Sequence, residues 1–331
     1  MFLVNFIASF TCPGNFFKRF NIYIFIIEVY FSIKSFPINL YLTKYIKQKM
    51  EVVKKEVLKK VFPKRKKSAH KYDYGHLLVV GGSDLYSGSP ALVAMAASAS
   101  LRIGVDLVTI AAPRRAATII ASFAPDLITY PLEGNFLDKK HLKILLKLTE
   151  GKMAIAIGNG LERKKETLST INKFLKKVNL PCVIDADAIH AISKNKKVIK
   201  ENFVITPHQQ EFYILTGIKI INKTLKEKIR IVKESASKLK TTILLKGNPD
   251  IISNGKQTII NKTGNVYLTK GGTGDTLAGI CGSFLAQNNK PFESACAAAY
   301  INGKAGDLIA KNYKQSLIAS DLINAIPKVL R

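Results

Sequence analysis

Three glycines and a carboxylate within six residues, Lys270-Gly271-Gly272-Thr273-Gly274-Asp275, are the part of this chain best suited to chemistry. Apolar residues follow at Leu277, Ile280, Cys281, Phe284 and Leu285, the spacing of one helix face, so the glycines open a helix. The first N–H groups of a helix have no intrahelical partner and lie at the positive end of its dipole. Residues without side chains let a phosphate come close to them. A carboxylate in such an anion cradle makes sense if it takes a proton there. Asp275 is therefore a candidate base that activates a hydroxyl for attack on phosphorus. The plainer alternative is that Thr273 or Asp275 only caps the helix, since both types are favoured at that position.

Such a loop needs a scaffold, and the chain supplies one in short apolar runs bounded by turn signals. Residues 77–80, 107–110, 154–157, 182–184, 203–205 and 243–245 read as buried strands. Helix-length stretches at 91–103, 141–148, 167–178 and 225–239 lie between them. Alternating strands and helices predict a mainly parallel sheet covered on both faces, with ligands beyond the carboxyl ends of the strands. Five loops at that edge carry chemistry-bearing residues: Gly81-Gly82-Ser83, Gly158-Asn159-Gly160, Asp185-Ala186-Asp187, Thr206-Pro207-His208 with Glu211, and Lys246-Gly247-Asn248. Each has an ordinary reading as turn or cap chemistry. Five on one edge are harder to dismiss.

The chain's 331 residues and 47% hydrophobic content suffice for a large buried core. The first 49 residues differ from the rest, holding nine of the seventeen Phe. Their longest apolar stretch, residues 22–33, is interrupted by Glu28 and falls short of the roughly 18 to 20 residues that span a bilayer. No basic residue precedes Lys18, which argues against a secretory signal. Residues 1–49 read as a non-homologous leader. Met50, directly before an amphipathic segment at 51–61, is a candidate true start. A surface-binding anchor is the alternative.

A net charge of +28 raises nucleic acid as a partner. The charge, however, is nearly all Lys, spread along the chain and not interleaved with aromatics. It reads as a solvated surface rather than a nucleic-acid platform. Cys12, Cys182, Cys281 and Cys296 have no C-x-x-C spacing and read as free thiols of a reducing, cytoplasmic compartment.

In order along the chain, "YGHLLVVGGSDLYSGSPALVAMAASASLRIGVDLVTIA", "AIGNGL", "PCVIDADAIH", "VITPHQQEF", "ILLKGNPDII", "TGNVYLTKGGTGDTLAGICGSFLAQ" and "PFESACAAAYINGKAGDLIA" resemble the NAD(P)H-hydrate dehydratases of the ribokinase-like superfamily. The likeness runs from about His70 to the C-terminus. It departs from the family pattern at Gln209 and Gln210, where Pro and Gly are usual, at Asn159, where Pro is usual, and at Ala188 after Asp185-Ala186-Asp187, where Gly is usual.

The resemblance implies a three-layer α/β/α sandwich over residues 50–331. It implies an ADP-dependent enzyme, with ATP as the other possible donor, that phosphorylates the C6 hydroxyl of hydrated NADH or NADPH and eliminates phosphate, giving NAD(P)H, AMP and phosphate. Asp275 would be the base, and the N–H groups of Gly272, Thr273 and Gly274 would receive phosphoryl charge. Lys246, Gly247, Asn248, Pro249 and Asp250, with Gly274, match nucleotide-binding positions. Ser89, Gly160 and His208, with Asp275, match positions that contact the hydrated cofactor. Mg²⁺ would ride on the nucleotide phosphates, with no dedicated protein metal site. Asp187 and Glu211 could orient water or metal, and Lys270 could neutralise phosphate. Homo-oligomers and a separate epimerase are the implied partners, and no membrane is. The runner-up is a small-molecule kinase of the same fold, acting on a vitamin or a sugar-like alcohol. A non-catalytic nucleotide-binding protein is the third reading.

Overall fold

Each of the six apolar runs forms a strand, because each can be buried on both faces of one sheet. In a computed structural model, the structure describes residues 50–62, 65–84 and 89–330, without the side chains of 89–94. The leader and both readings of it lie outside the described residues, as does Cys12. The unit Glu51–Arg331 is built on a nine-stranded sheet of order β3-β2-β1-β4-β5-β6-β7-β8-β9. The strands are β1 His76–Val80, β2 Leu107–Pro113, β3 Ile128–Leu132, β4 Ala154–Ile157, β5 Cys182–Ile184, β6 Phe203–Ile205, β7 Thr242–Leu245, β8 Asp250–Ser253 and β9 Thr258–Asn261.

Strands β1 to β7 pair in parallel, whereas β7-β8-β9 is an antiparallel meander. The carboxyl ends of β1 to β7 and of β9 therefore share one edge with the start of β8. The strand order reverses between β1 and β4, the place where open α/β sheets bind ligands.

Alternate side chains of each strand serve opposite layers. Leu77 and Val79 pack with Ile280 and Phe284 of α9 (Thr273–Ala286) and Ile301 of α10 (Pro291–Tyr313). Leu78 and Val80 pack on the other face with Ile171 and Phe174 of α5 (Lys165–Lys177) and Ile189 of α6 (Asp187–Lys194). The remaining helices are α1 Val57–Val61, α2 Ser89–Ile103, α3 Arg114–Ala121, α4 Leu142–Leu148, α7 Gln209–Thr216, α8 Leu225–Leu239 and α11 Ala319–Leu330. The three-layer α/β/α arrangement expected from sequence is present. No helix among the described residues is long and apolar enough to cross a membrane.

The amphipathic segment at 51–61 is helical only over Val57–Val61. Before it, Val53 donates to Ile260 O at 2.9 Å and Ile260 donates to Glu51 O at 3.0 Å. Pairing with the edge strand β9 overrides the local periodicity and covers an edge that would otherwise be open. Cys182, Cys281 and Cys296 are buried free thiols, as their positions in strands and helices predict.

Candidate active site

Helix α9 begins where the sequence places it. Gly272 is its N-cap at φ 91°, a left-handed conformation that suits glycine. The expectation that Thr273 or Asp275 could be the cap is not met, and Asp275 is instead the third helical residue. Glycine is also required inside the helix. A Cβ on Gly279 would lie 1.9 Å from the carbonyl oxygen of Ala96, so α9 lies against the small-residue helix α2 within the chain. Ser100 Oγ donates to Gly279 O at 2.9 Å across that contact.

The loop ahead of α9 is tied down at both ends. Thr273 Oγ1 bonds to the carbonyls of Leu268 (2.8 Å) and Lys270 (2.9 Å). Thr276 Oγ1 donates to Asn302 Oδ1 at 2.7 Å, and Asn302 Nδ2 donates to Thr273 O at 3.2 Å. Asp307 accepts from the Gly264 N–H and the Asn265 amide, both at 3.2 Å. A Cβ on Gly303 would stand 2.2 Å from Thr263 Oγ1, so only glycine lets α10 support the strand-to-loop corner there. Lys270 Nζ donates to the Gln315 carbonyl, which fixes a lysine that the sequence left between phosphate and solvent. The Thr273 N–H lies 3.5 Å from Lys270 O, a long bond for an expected phosphate donor. A Cβ added at Gly274 would stand 3.4 Å from Lys246 Nζ.

Three loops bring charge to this helix end. Asp185, after β5, accepts from Lys246 Nζ at 2.8 Å and Thr206 Oγ1 at 2.8 Å through one oxygen, and from Asn159 Nδ2 at 3.2 Å through the other. The same Asn159 nitrogen donates to Asp275 Oδ1. Lys246 also faces Glu211 Oε2 at 3.7 Å. Burial pushes the Asp275 carboxyl up to about 6; Asp185 adds to this, while the Asn159 hydrogen bond and Lys246 oppose it. Burial alone would lower the Lys246 ammonium, but Asp185 and then Glu211 hold it above its ordinary value. Burial raises Glu211, against the pull of Lys246.

A cleft of about 600 Å³ opens over these groups, walled by Asp185, Lys246, His208, the 263–275 loop and Asp275. Gly247, Asn248, Asp250, Gly272, Thr273 and Gly274 also line it, so the structure brings the expected base, the anion cradle and most of the expected nucleotide loop together. Pro249, joined to Asn248 by a cis peptide, lies on a smaller neighbouring pocket with Gln209. Asp250 is half-buried and accepts from the Gly247 N–H and from Asn261 Nδ2, each at 2.9 Å, so its carboxylate shapes the loop. Gly160, at φ 68°, follows Asn159 and is not on the cleft wall. Ser89 starts α2, and its side chain lies outside the described residues.

His208 has a definite structural duty. Its Nδ1 accepts the N–H groups of Gln210 (3.1 Å) and Glu211 (3.3 Å), and Glu211 returns a carboxylate to the His208 N–H at 2.9 Å. This reciprocal cap of α7 leaves the residue on the cleft wall with its ring orientation fixed. Asp187 turns away from the cleft, binding Arg163 Nε and the Glu162 N–H, both at 2.9 Å.

Asn159 is the partner of Asp275 that sequence reasoning does not single out. It stands out only as a departure from a pattern, and its contact with Asp275 joins residues 116 apart. Gly158 makes the contact possible. A Cβ there would lie 1.8 Å from Asp185 O, so the β4 loop is pressed onto the β5 loop.

A family model described as NAD(P)H-hydrate dehydratase matches residues 77–328. The chain is 41% identical over 269 residues to the bifunctional NAD(P)H-hydrate repair enzyme Nnr of Pyrobaculum aerophilum, covering 81% of this chain and 52% of that one. The chain thus spans about half the length of that relative. It is 37% identical over 278 residues to the ADP-dependent (S)-NAD(P)H-hydrate dehydratase of Nitrosopumilus maritimus, covering 83% of this chain and 95% of the relative. Among solved structures, the ADP/ATP-dependent NAD(P)H-hydrate dehydratase of Bacillus subtilis, co-crystallised with ATP and Mg²⁺, superposes with a TM-score of 0.71. It is 26% identical and covers 85% of this chain and 98% of its own.

Proposed function

The chain belongs to the NAD(P)H-hydrate dehydratase family, and from that premise we propose that it repairs hydrated NADH and NADPH with ADP as phosphoryl donor. The observation that carries this reading is a buried carboxylate, Asp275, in the first turn of a glycine-opened helix on a cleft wall shared with Lys246. A hydroxide is a poor leaving group. The C6 hydroxyl must first become a phosphate ester if mild conditions are to expel it.

Asp275 takes the hydroxyl proton as the C6 oxygen attacks the β-phosphorus of ADP, and AMP departs with the electrons of the broken P–O bond. The N–H groups at the start of α9 face the charge that grows on the phosphoryl oxygens, aided by the Lys246 ammonium. Breaking the C6–O bond then releases phosphate, and loss of a ring proton restores the dihydronicotinamide. A raised carboxyl suits this role, because a base that titrates near 6 is ionised at neutral pH yet accepts a proton more readily than an ordinary aspartate.

Among the described residues no group of three or more His, Cys, Asp or Glu is arranged to hold a metal ion. The carboxylates nearest the cleft are already engaged by Lys246 and Asn159. That donor set fits an ion such as Mg²⁺ carried by nucleotide phosphates, where it would offset their charge. Interconversion of the substrate epimers would require a second active site.

The test follows the return of dihydronicotinamide absorbance when the full chain meets hydrated NADH, Mg²⁺ and ADP or ATP. Nucleotide-dependent recovery supports the reading and names the donor. Nucleotide consumption without recovery, with a stable phosphorylated alcohol as product, would replace it with the kinase alternative.

A further inference from the structure

We infer that Asn159 is a positioning residue for Asp275: one amide nitrogen, shared between Asp275 and Asp185, fixes the base carboxylate and lets two carboxylates stand side by side as acceptors. This deepens the proposed function and rests on Asp275 being its base.

The geometry is specific. A side-chain amide nitrogen carries two hydrogens, and here two carboxylates receive them, Asp185 Oδ2 at 3.2 Å and Asp275 Oδ1. The opposite amide orientation would set Oδ1 against both acceptors. Asn159 is 1% exposed, so water cannot substitute for it. Its backbone is held as well, since the Gly82 N–H donates to Asn159 O at 2.9 Å, locking the loops on either side of the strand-order reversal. Its Oδ1 has no partner among the described residues. An amide kept in place at the cost of one unsatisfied oxygen is there for its nitrogen.

The arrangement forms a chain from the nucleotide loop to the base. Lys246 Nζ holds Asp185 Oδ1, Asp185 Oδ2 receives Asn159, and Asn159 holds Asp275. The groups acting on Asp275 are Asp185 from the loop after β5, Asn159 from the loop after β4 and Lys246 from the loop after β7. Glu211 of α7 stands behind Lys246, with His208 beside Glu211. Helix α10 offers the same turn of α9 only the uncharged Asn302. Burial and Asp185 favour the protonated acid, while Asn159 and Lys246 favour the base. Removing the amide tips that balance toward the acid.

The experiment compares wild type with Asn159→Ala, Asn159→Ser and Asn159→Asp across pH 5 to 9.5, with melting curves to establish folding. In Asn159→Ala the acid limb of kcat should move up by about one pH unit. Activity should then fall roughly three-fold at pH 6.5 and roughly ten-fold at pH 5, and activity at pH 9 should stay close to wild type. Asn159→Ser keeps one donor and should fall between. Asn159→Asp adds a third carboxylate and should shift the limb furthest. An equal loss at every pH, or no loss, overturns the proposal, since either leaves Asn159 without influence on the ionisation of Asp275.

If wild type does not dehydrate the hydrate at all, the functional reading fails and the positioning claim is decided separately. The ¹³C carboxyl titration of Asp275, assigned by its disappearance in Asp275→Asn, should move upward in Asn159→Ala or Asn159→Ser. An unchanged titration in both overturns the claim.

Discussion

Asp250 and Asp275 are alike in the property that often marks a catalytic carboxyl. Each feels Lys246, and desolvation lifts each to about 6. They differ in what their oxygens touch. Asp250 accepts from Gly247 in its own loop and from Asn261 on the neighbouring strand, so it fastens the mouth of the β7-β8 hairpin. Asp275 is held by the Asn159 amide beside a second carboxylate, at the open end of a helix. A raised carboxyl alone does not identify a base. The neighbourhood decides, and Asp275 sits at a glycine-opened helix N-terminus where Asp250 sits in a turn.

The sharpest way to break that contrast is to neutralise each carboxyl in turn. Asp275→Asn should lower kcat by roughly three orders of magnitude while nucleotide affinity is mostly kept, because a base acts chiefly in the transition state. Asp250→Asn should leave kcat within about ten-fold of wild type and raise the KM for nucleotide by loosening the loop. Steady-state kinetics with direct nucleotide titration distinguishes the two. Comparable kcat losses in both variants would erase the difference between the sites.

The cation that both carboxyls share gives the next largest effect. Lys246→Met leaves Asp185 and Glu211 buried without their partner, a change that typically costs about 3–5 kcal/mol. The loss should appear as a large drop in Tm near neutral pH. It should shrink in acid, where Glu211, already raised by burial, takes up a proton.

Stability against pH sharpens the comparison further. A carboxyl raised from 3.8 to about 6 in the folded chain contributes stability below its unfolded value and loses it as pH rises through 6. Asp275→Asn should therefore unfold at higher denaturant than wild type at pH 8, by up to about 3 kcal/mol, and show little advantage at pH 4. Asp250→Asn should gain less, since it also loses one of its two loop-fastening acceptor oxygens. Denaturant titrations at the two pH values test both.

The smallest expected effect is at Gly274. An added Cβ would meet Lys246 Nζ at 3.4 Å, an ordinary contact with the far end of a flexible side chain. Gly274→Ala should thus fold normally and raise the nucleotide KM by only about three-fold, with kcat little changed.

Much of this contrast can be anticipated from sequence on the Asp275 side and little on the Asp250 side. Helix α9 announces itself through apolar spacing after glycines, and six of the seven parallel strands announce themselves because burial on both faces leaves mostly apolar residues. Strands β8 and β9 do not, since four-residue strands in an antiparallel meander carry too short a pattern, and Asp250 therefore reads from sequence as part of a loop. Strand β3, half exposed and containing Pro131, is hidden because its pairing and not its composition makes it a strand. His208 is legible as a cleft residue but not as the cap of α7, and Asn159 is visible only as an oddity. Contacts such as Asn159 with Asp275 depend on how two loops meet, and neither local spacing nor composition encodes that meeting.

The most direct test is the pH dependence of kcat for hydrate dehydration, measured side by side for wild type and Asp275→Asn with saturating nucleotide. Wild type should show an acid limb near pH 6, and the residual activity of Asp275→Asn should lack it. An acid limb that persists unchanged in Asp275→Asn would show that another group takes the proton, and the assignment of Asp275 as base would fall.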